Sequence, residues 1–131
     1  DASAKNLKAY YNGELVTDSR MDIGDIDWGI PHSDESNGKP RCFWIGYSYN
    51  NERWLDADIA EVRIWNRVLS EEEINAQDHA YDVDPNSKGL VAYWKLNDGI
   101  DEIKDYSVNG NNATPSSKLT WVDVSLPAKE D

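Results

Sequence analysis

Leu55-Asp56-Ala57-Asp58-Ile59-Ala60-Glu61-Val62-Arg63-Ile64-Trp65-Asn66-Arg67-Val68-Leu69-Ser70-Glu71-Glu72-Glu73-Ile74 reads as a strand running directly into a capped helix. Ala60, Val62 and Ile64 fall on one face and Glu61, Arg63 and Trp65 on the other, the period of a half-buried β-strand. Ser70 and Glu73 form an S-x-x-E capping box: the hydroxyl accepts from a first-turn N–H and the carboxylate reaches back to the cap. Leu69 and Ile74 are placed as a hydrophobic staple. Glu71 and Glu72 suit the positive end of the helix dipole. The pattern predicts a strand over residues 58–66 and a helix from Ser70 to Ala80 or Tyr81. It defines a scaffold rather than a chemistry.

Upstream, Tyr11-Asn12-Gly13-Glu14 reads as the tip of a tight hairpin, because Asn and Gly both accept positive φ. Residues 17–40 are rich in Asp, Ser, Gly and Pro and are expected to form a long loop with one short strand at most. Residues 41–49 alternate as a strand, with Phe43, Ile45, Tyr47 and Tyr49 on one face. Residues 50–54 form a turn or loop. Downstream, Asp84-Pro85-Asn86-Ser87 is a linker, and residues 89–97 form a strand with Leu90, Ala92, Trp94 and Leu96 on one face. Residues 97–112 are turn-rich, residues 119–126 are a last strand, and a charged, frayed tail follows. The expected architecture is all-β, an antiparallel jelly-roll β-sandwich with one short helix, over residues 1–127, with residues 128–131 a disordered tail.

Length and charge narrow the classes. A chain of 131 residues suits one domain. Twenty-five acidic against 13 basic residues give a formal charge of −12. Such a surface opposes nucleic acid, which needs clustered Lys and Arg, and disfavours anionic membranes. The acidity serves solubility or, more sharply, cation binding. No stretch approaches the length of a transmembrane helix and no signal peptide stands at the start, so membrane insertion is not expected. Cys42 is the single cysteine, so no disulfide forms within the chain; its apolar run reads as a buried small hydrophobe. Neither His32 nor His79 is placed beside it as a catalytic partner, and two distant His with one Cys do not make a zinc site.

Three blocks resemble the laminin-G-like, concanavalin A-like lectin/glucanase superfamily: Tyr11-Asn12-Gly13-Glu14-Leu15-Val16, the strand–helix stretch from Ile59 to Ile74, and Gly89-Leu90-Val91-Ala92-Tyr93-Trp94-Lys95-Leu96-Asn97-Asp98-Gly99 with Asp105-Tyr106-Ser107-Val108-Asn109-Gly110-Asn111-Asn112-Ala113. The first matches the family's "YvNGelv" hairpin and the last its "GLvayWkfdeG…DsSgNGNna" segment. Ala57 stands where the family usually has Gly, and Ala60 where it often has Asp. The "GLvayW" block often opens such a domain, yet here it follows the helix, and only six residues precede Leu7. The order resembles the C-terminal half of lectin-like domains in bacterial surface glycan-utilisation proteins, which close on a "W.pVsLP" segment as Trp121-Val122-Asp123-Val124-Ser125-Leu126-Pro127 does here. Front strands are then absent or supplied from upstream, and the start at Asp1 is that of a mature or excised piece. The chain closes a smaller sheet by itself or pairs with another copy or piece, which makes self-association an expectation.

The resemblance implies a non-catalytic, lectin-like carbohydrate-binding module of a secreted or cell-surface bacterial protein, extracellular or periplasmic, which captures polysaccharide or oligosaccharide for a linked glycan-degrading domain. The alternative is a structural or protein-interaction module. A glycoside hydrolase is the weaker reading: the family's glucanases carry a Glu-x-Asp-x-x-Glu strand motif, whereas Asp58-Ile59-Ala60-Glu61 has the wrong spacing, and Glu61 with Arg63 on its face makes a cross-face ion pair or a solvated row. No catalytic residue is assigned. Sugar binding needs aromatic faces next to planar polar groups, and the candidates are Trp28, Tyr49, Asn51, Arg53 and Trp54. Trp44, Trp65, Trp94 and Trp121 are expected to pack in the core. Calcium is a possible cofactor, with Asp22, Asp25 and Asp27 or Asp98, Asp101 and Asp105 as loop ligands; the competing reading is that these side chains make turns.

Overall fold

The computed structural model describes residues 6–20, 33–34, 39–40, 43–46, 55–76, 79, 82–99, 102–115 and 117–123. They form mostly sheet with one short helix: β1 (Asn6–Tyr11), β2 (Glu14–Arg20), β3 (Ser33–Asp34), β4 (Lys39–Pro40), β5 (Val62–Trp65), α1 (Glu71–Asn75) and β6 (Leu90–Trp94). The strands pair as three two-stranded sheets, β1 with β2, β3 with β4 and β5 with β6. The chain divides into two compact units, one of Asp1–Ala9 with Val16–Ala57, the other of Tyr10–Leu15 with Asp58–Asp131.

The hairpin forms where Asn-Gly predicts it. Asn12 and Gly13 take φ of 50° and 79°, the two left-handed residues that match the twist of the flanking strands. β2 runs to Arg20, four residues into the stretch expected to be loop, and the antiparallel pairs Ser33↔Pro40 and Asp34↔Lys39 add a minimal ladder.

Two strand expectations are corrected within the described residues. Phe43–Gly46 is irregular instead of extended: Gly46 turns the chain at φ 76°, and its carbonyl accepts the Leu55 N–H at 3.0 Å. Residues 119–123 are also irregular, and residues 124–131, including the expected tail, lie outside the described residues. Trp44 and Trp121, in these irregular stretches, are 43% and 37% exposed and not core. Trp94 is buried and Trp65 packs half-buried against the core, as expected.

The core lies in the second unit around β6. Tyr93 is fully buried and packs with Val83 and Leu90, with Trp65 and Tyr106 against them. β5 starts at Val62 because Glu61 adopts φ 58°, and β6 ends at Trp94, with Leu96 at φ 55° just beyond it. These left-handed residues at one end of the ladder break the extended run. At the other end the register shifts: Ile64 pairs with Ala92, but Trp65 pairs with Leu90, leaving Val91 as a bulge. A one-residue shift reverses the facing of everything beyond it. Leu90 therefore joins Tyr93 against the core instead of sharing a face with Ala92 and Trp94.

The first segment of the expected helix, α1, ends at Asn75, and His79 is helical again; residues 77, 78, 80 and 81 lie outside the described residues. The α1 capping box forms in full: Glu73 N–H donates to Ser70 Oγ at 3.2 Å, and Ser70 N–H donates to Glu73 Oε2 at 2.8 Å. Ala76 then takes an extended conformation, so α1 stops at Asn75. Asn75 turns its side-chain amide onto the carbonyls of Glu71 (3.0 Å) and Gly13 (3.1 Å), a local bond of the kind that competes with helix propagation. It also fixes the hairpin tip to the helix end.

Candidate functional site

Three groupings of polar side chains surround β5, α1 and β6. The first lies under the core. Glu61 Oε2 accepts from the Tyr93 hydroxyl at 2.8 Å and from Arg63, whose guanidinium lies 4.6 Å from the Tyr93 ring centroid and also donates to the His79 carbonyl. The ion pair expected between Glu61 and Arg63 is present, partly buried and not a solvated row. Asp56 and Asp58 are exposed.

The second closes the free edge of β6. The buried Asp105 carboxylate accepts the Tyr93 N–H (2.8 Å), the Ser107 N–H (2.8 Å), the Asn111 N–H (2.7 Å) and the Ser107 hydroxyl (2.9 Å). Burial pushes this carboxyl up, but those four donors outweigh it and hold it below the ordinary Asp value. The Val91 carbonyl, at the bulge, accepts from Ser107 Oγ, Asn109 Nδ2 and Asn111 Nδ2 at 3.1, 2.9 and 3.0 Å. Asn109 also reaches the Leu90 carbonyl at 3.2 Å. These side chains replace a neighbouring strand and blunt the edge. They make turns, as one reading of the sequence had it, but they also bond to β6 at a distance.

Both oxygens of Asp98 are similarly occupied, Oδ1 by the Tyr106 hydroxyl (2.7 Å) and Oδ2 by the Lys104 N–H (3.2 Å). The 98–105 loop thus directs N–H and O–H donors onto its described carboxylates, a geometry unlike an oxygen cage for calcium. Among the described residues no group of three or more His, Cys, Asp or Glu is close enough to hold a metal ion. Asp22, Asp25, Asp27 and Asp101 lie outside the described residues.

The third grouping is a cleft of about 540 Å³ between the end of β5, α1 and the turn at residues 82–87. Trp65, Leu69, Ala76, Val83 and Pro85 supply its apolar lining. Its polar lining comes from Arg67, Glu73, His79, Asp82, Asp84 and Ser87. Arg67 binds Glu73 through two nitrogens, each at 2.8 Å, reaches the Lys88 carbonyl at 2.9 Å and lies 5.2 Å from the Trp65 ring centroid. That fork, with the Ser70 N–H, draws the Glu73 carboxyl down to about 2. Asp82 pairs with Lys95 at 2.9 Å. Asp84 Oδ1 accepts from Asn86 N–H and Nδ2, forming the turn. Burial, with Arg63 nearby, lowers the His79 pKa against a smaller opposing effect of Glu73, so the ring is neutral at pH 7. Among the described residues, Trp65 Nε1 and Arg63 Nε are buried donors with no acceptor.

Trp28, Tyr49, Asn51, Arg53 and Trp54, the sugar-binding candidates, lie outside the described residues, as do Cys42 and His32. Trp65, Arg67 and Glu73 belong to a stretch whose sequence pattern defines a scaffold, and that pattern does not show the cleft beside them. Its signals were present: an Arg six residues before a capping Glu, and an Asp-Pro-Asn turn that faces them only once β6 folds back.

A mostly-sheet chain with an Asn-Gly hairpin and a strand entering a boxed helix suits a lectin-like class of domain. Residues 1–75 match a family model described as concanavalin A-like lectin/glucanases superfamily, of laminin-G type, and the chain belongs to that superfamily. No curated protein and no solved structure matches it. No helix of the described residues is long and apolar enough to cross a membrane.

Proposed function

We propose that the protein is a non-catalytic carbohydrate-binding module on a jelly-roll frame, acting outside the cell or at a bacterial surface, where it captures glycan for a linked degrading domain. The observation that carries this reading is superfamily membership over residues 1–75. The use of the carboxylates supports binding over hydrolysis, which needs two carboxyl groups free to face a glycosidic bond. Glu61, Glu73, Asp98 and Asp105 are each held by protein donors. Incubating the protein with a panel of soluble polysaccharides in native affinity gels tests it: retarded migration with no new reducing ends is expected. Release of reducing ends would make it a hydrolase.

A protein-interaction role is the second reading. It is favoured by apolar side chains that stand exposed in the hairpin and elsewhere, among them Tyr11, Val16, Phe43, Leu55 and Val108. Migration unchanged by every glycan, with self-association in sedimentation, would favour that role.

A further inference from the structure

The cleft beside α1 has the composition of a small-ligand site, and the bonds already made around it restrict what it can hold. Its volume of about 540 Å³ falls in the range of roughly 300–1,000 Å³ typical of ligand pockets. Its charged groups are largely committed: Arg67 to Glu73, and Asp82 to Lys95. Besides the buried Trp65 Nε1, polar atoms with no hydrogen bond from the described residues remain on three lining side chains: Asp84 Oδ2, Ser87 Oγ and the neutral imidazole of His79. Together they offer one anionic acceptor and two groups that both donate and accept. The apolar wall of Trp65, Val83 and Pro85 lies in the same cleft.

Hydroxyl-bearing rings fit this set, because they present several donors on a partly apolar frame. Anions do not: among the described residues no uncommitted cation lines the cleft, Asp84 repels them, and the chain as a whole carries −12. We propose that this cleft is a subsite for one uncharged sugar ring, bound through Asp84, Ser87 and His79 against the Trp65 side of the wall. The assignment rests on the carbohydrate-binding reading above. It adds the site and the exclusion of acidic glycans.

Calorimetric titration with neutral tetrasaccharides of glucose, mannose, galactose and xylose, beside polygalacturonate and heparin fragments and a chitosan oligomer, tests it. The protein is compared with its Asp84→Asn/Ser87→Ala variant, and circular dichroism checks the fold of each. At least one neutral tetrasaccharide should bind, and the double variant should bind it about tenfold or more weakly, since bonds to a charged acceptor are lost. A second readout, the His79 ring resonances, should shift on adding that tetrasaccharide. Unchanged affinity in the folded double variant, with still His79 resonances, overturns the subsite but leaves glycan binding elsewhere intact. Tighter binding of an acidic fragment, or of chitosan alone, overturns the neutral-sugar assignment. No binding of any glycan overturns the subsite and the parent reading together.

Discussion

Asp105 accepts the backbone N–H of Tyr93 at 2.8 Å, twelve residues away along the chain, and so takes the place of a strand beside β6. The carboxylate is only 4% exposed and simultaneously holds the N–H groups of Ser107 and Asn111. Replacing it with Ala leaves three backbone donors unpaired at the core. Asp105→Ala should lower unfolding free energy by about 3 kcal/mol or more, read by urea denaturation, and Asp105→Asn by less because one acceptor survives. Equal, small losses for both variants would contradict the edge-closing role.

The Arg67–Glu73 fork gives a pH prediction. Glu73 titrates at about 2 in the folded chain, below its ordinary value of roughly 4.3 in an unfolded one. The stabilisation it provides is therefore complete above the unfolded value and is lost as pH falls from there through about 2. A carboxyl-resolved NMR titration should show that low midpoint. Arg67→Ala should move it back up, whereas Ser70→Ala, which removes only the hydroxyl cap, should leave it low while costing about 1 kcal/mol of stability.

Gly13 sits at φ 79°, and a Cβ there would displace the Asn75 side-chain amide, whose Oδ1 lies against it. Gly13→Ala should cost at least about 1–2 kcal/mol for the left-handed backbone alone, with the clash added. In a double-mutant cycle, Asn75→Ala should recover the clash component and leave the backbone component in place. Strict additivity of the two substitutions would show that the hairpin tip does not rest on the helix end.

The orphaned indole N–H of Trp65 leads to a counterintuitive outcome. Trp65→Phe removes a buried donor with no acceptor among the described residues, so most of its cost should vanish and the change in stability should stay within about 1 kcal/mol. Trp65→Ala removes packing against the Tyr93 cluster and should cost about 2 kcal/mol or more. A large loss for Phe would show that the N–H has a partner.

Local chemistry made some of this legible. Asn12-Gly13 set the hairpin, and Ser70 with Glu73 set the helix start, because each depends on a few adjacent residues. What depends on distant pairing was hidden. The bulge at Val91 moved Leu90 to the core face of β6, and a period-two pattern cannot show where register slips. The Val91 carbonyl on the outer edge of β6 is satisfied by Ser107, Asn109 and Asn111, so the turn-rich stretch is also an edge cap. The expected helix to residues 80–81 is interrupted at Ala76, beside the Asn75 amide that bonds to Gly13 and Glu71, while His79 is helical again and residues 77, 78, 80 and 81 lie outside the described residues. For the site, the aromatic loops were readable as candidates, whereas the cleft required the folding of residues 82–87 against α1.

The central claim is that the protein binds glycan without cleaving it. One calorimetric titration of the chain with the polysaccharide that retards it most in native gels, followed by reducing-end analysis of the same cell, tests it most directly. A saturable heat with no new reducing ends is the predicted result. Heat that persists through the titration with accumulating reducing ends, or no heat with any polysaccharide, would contradict it.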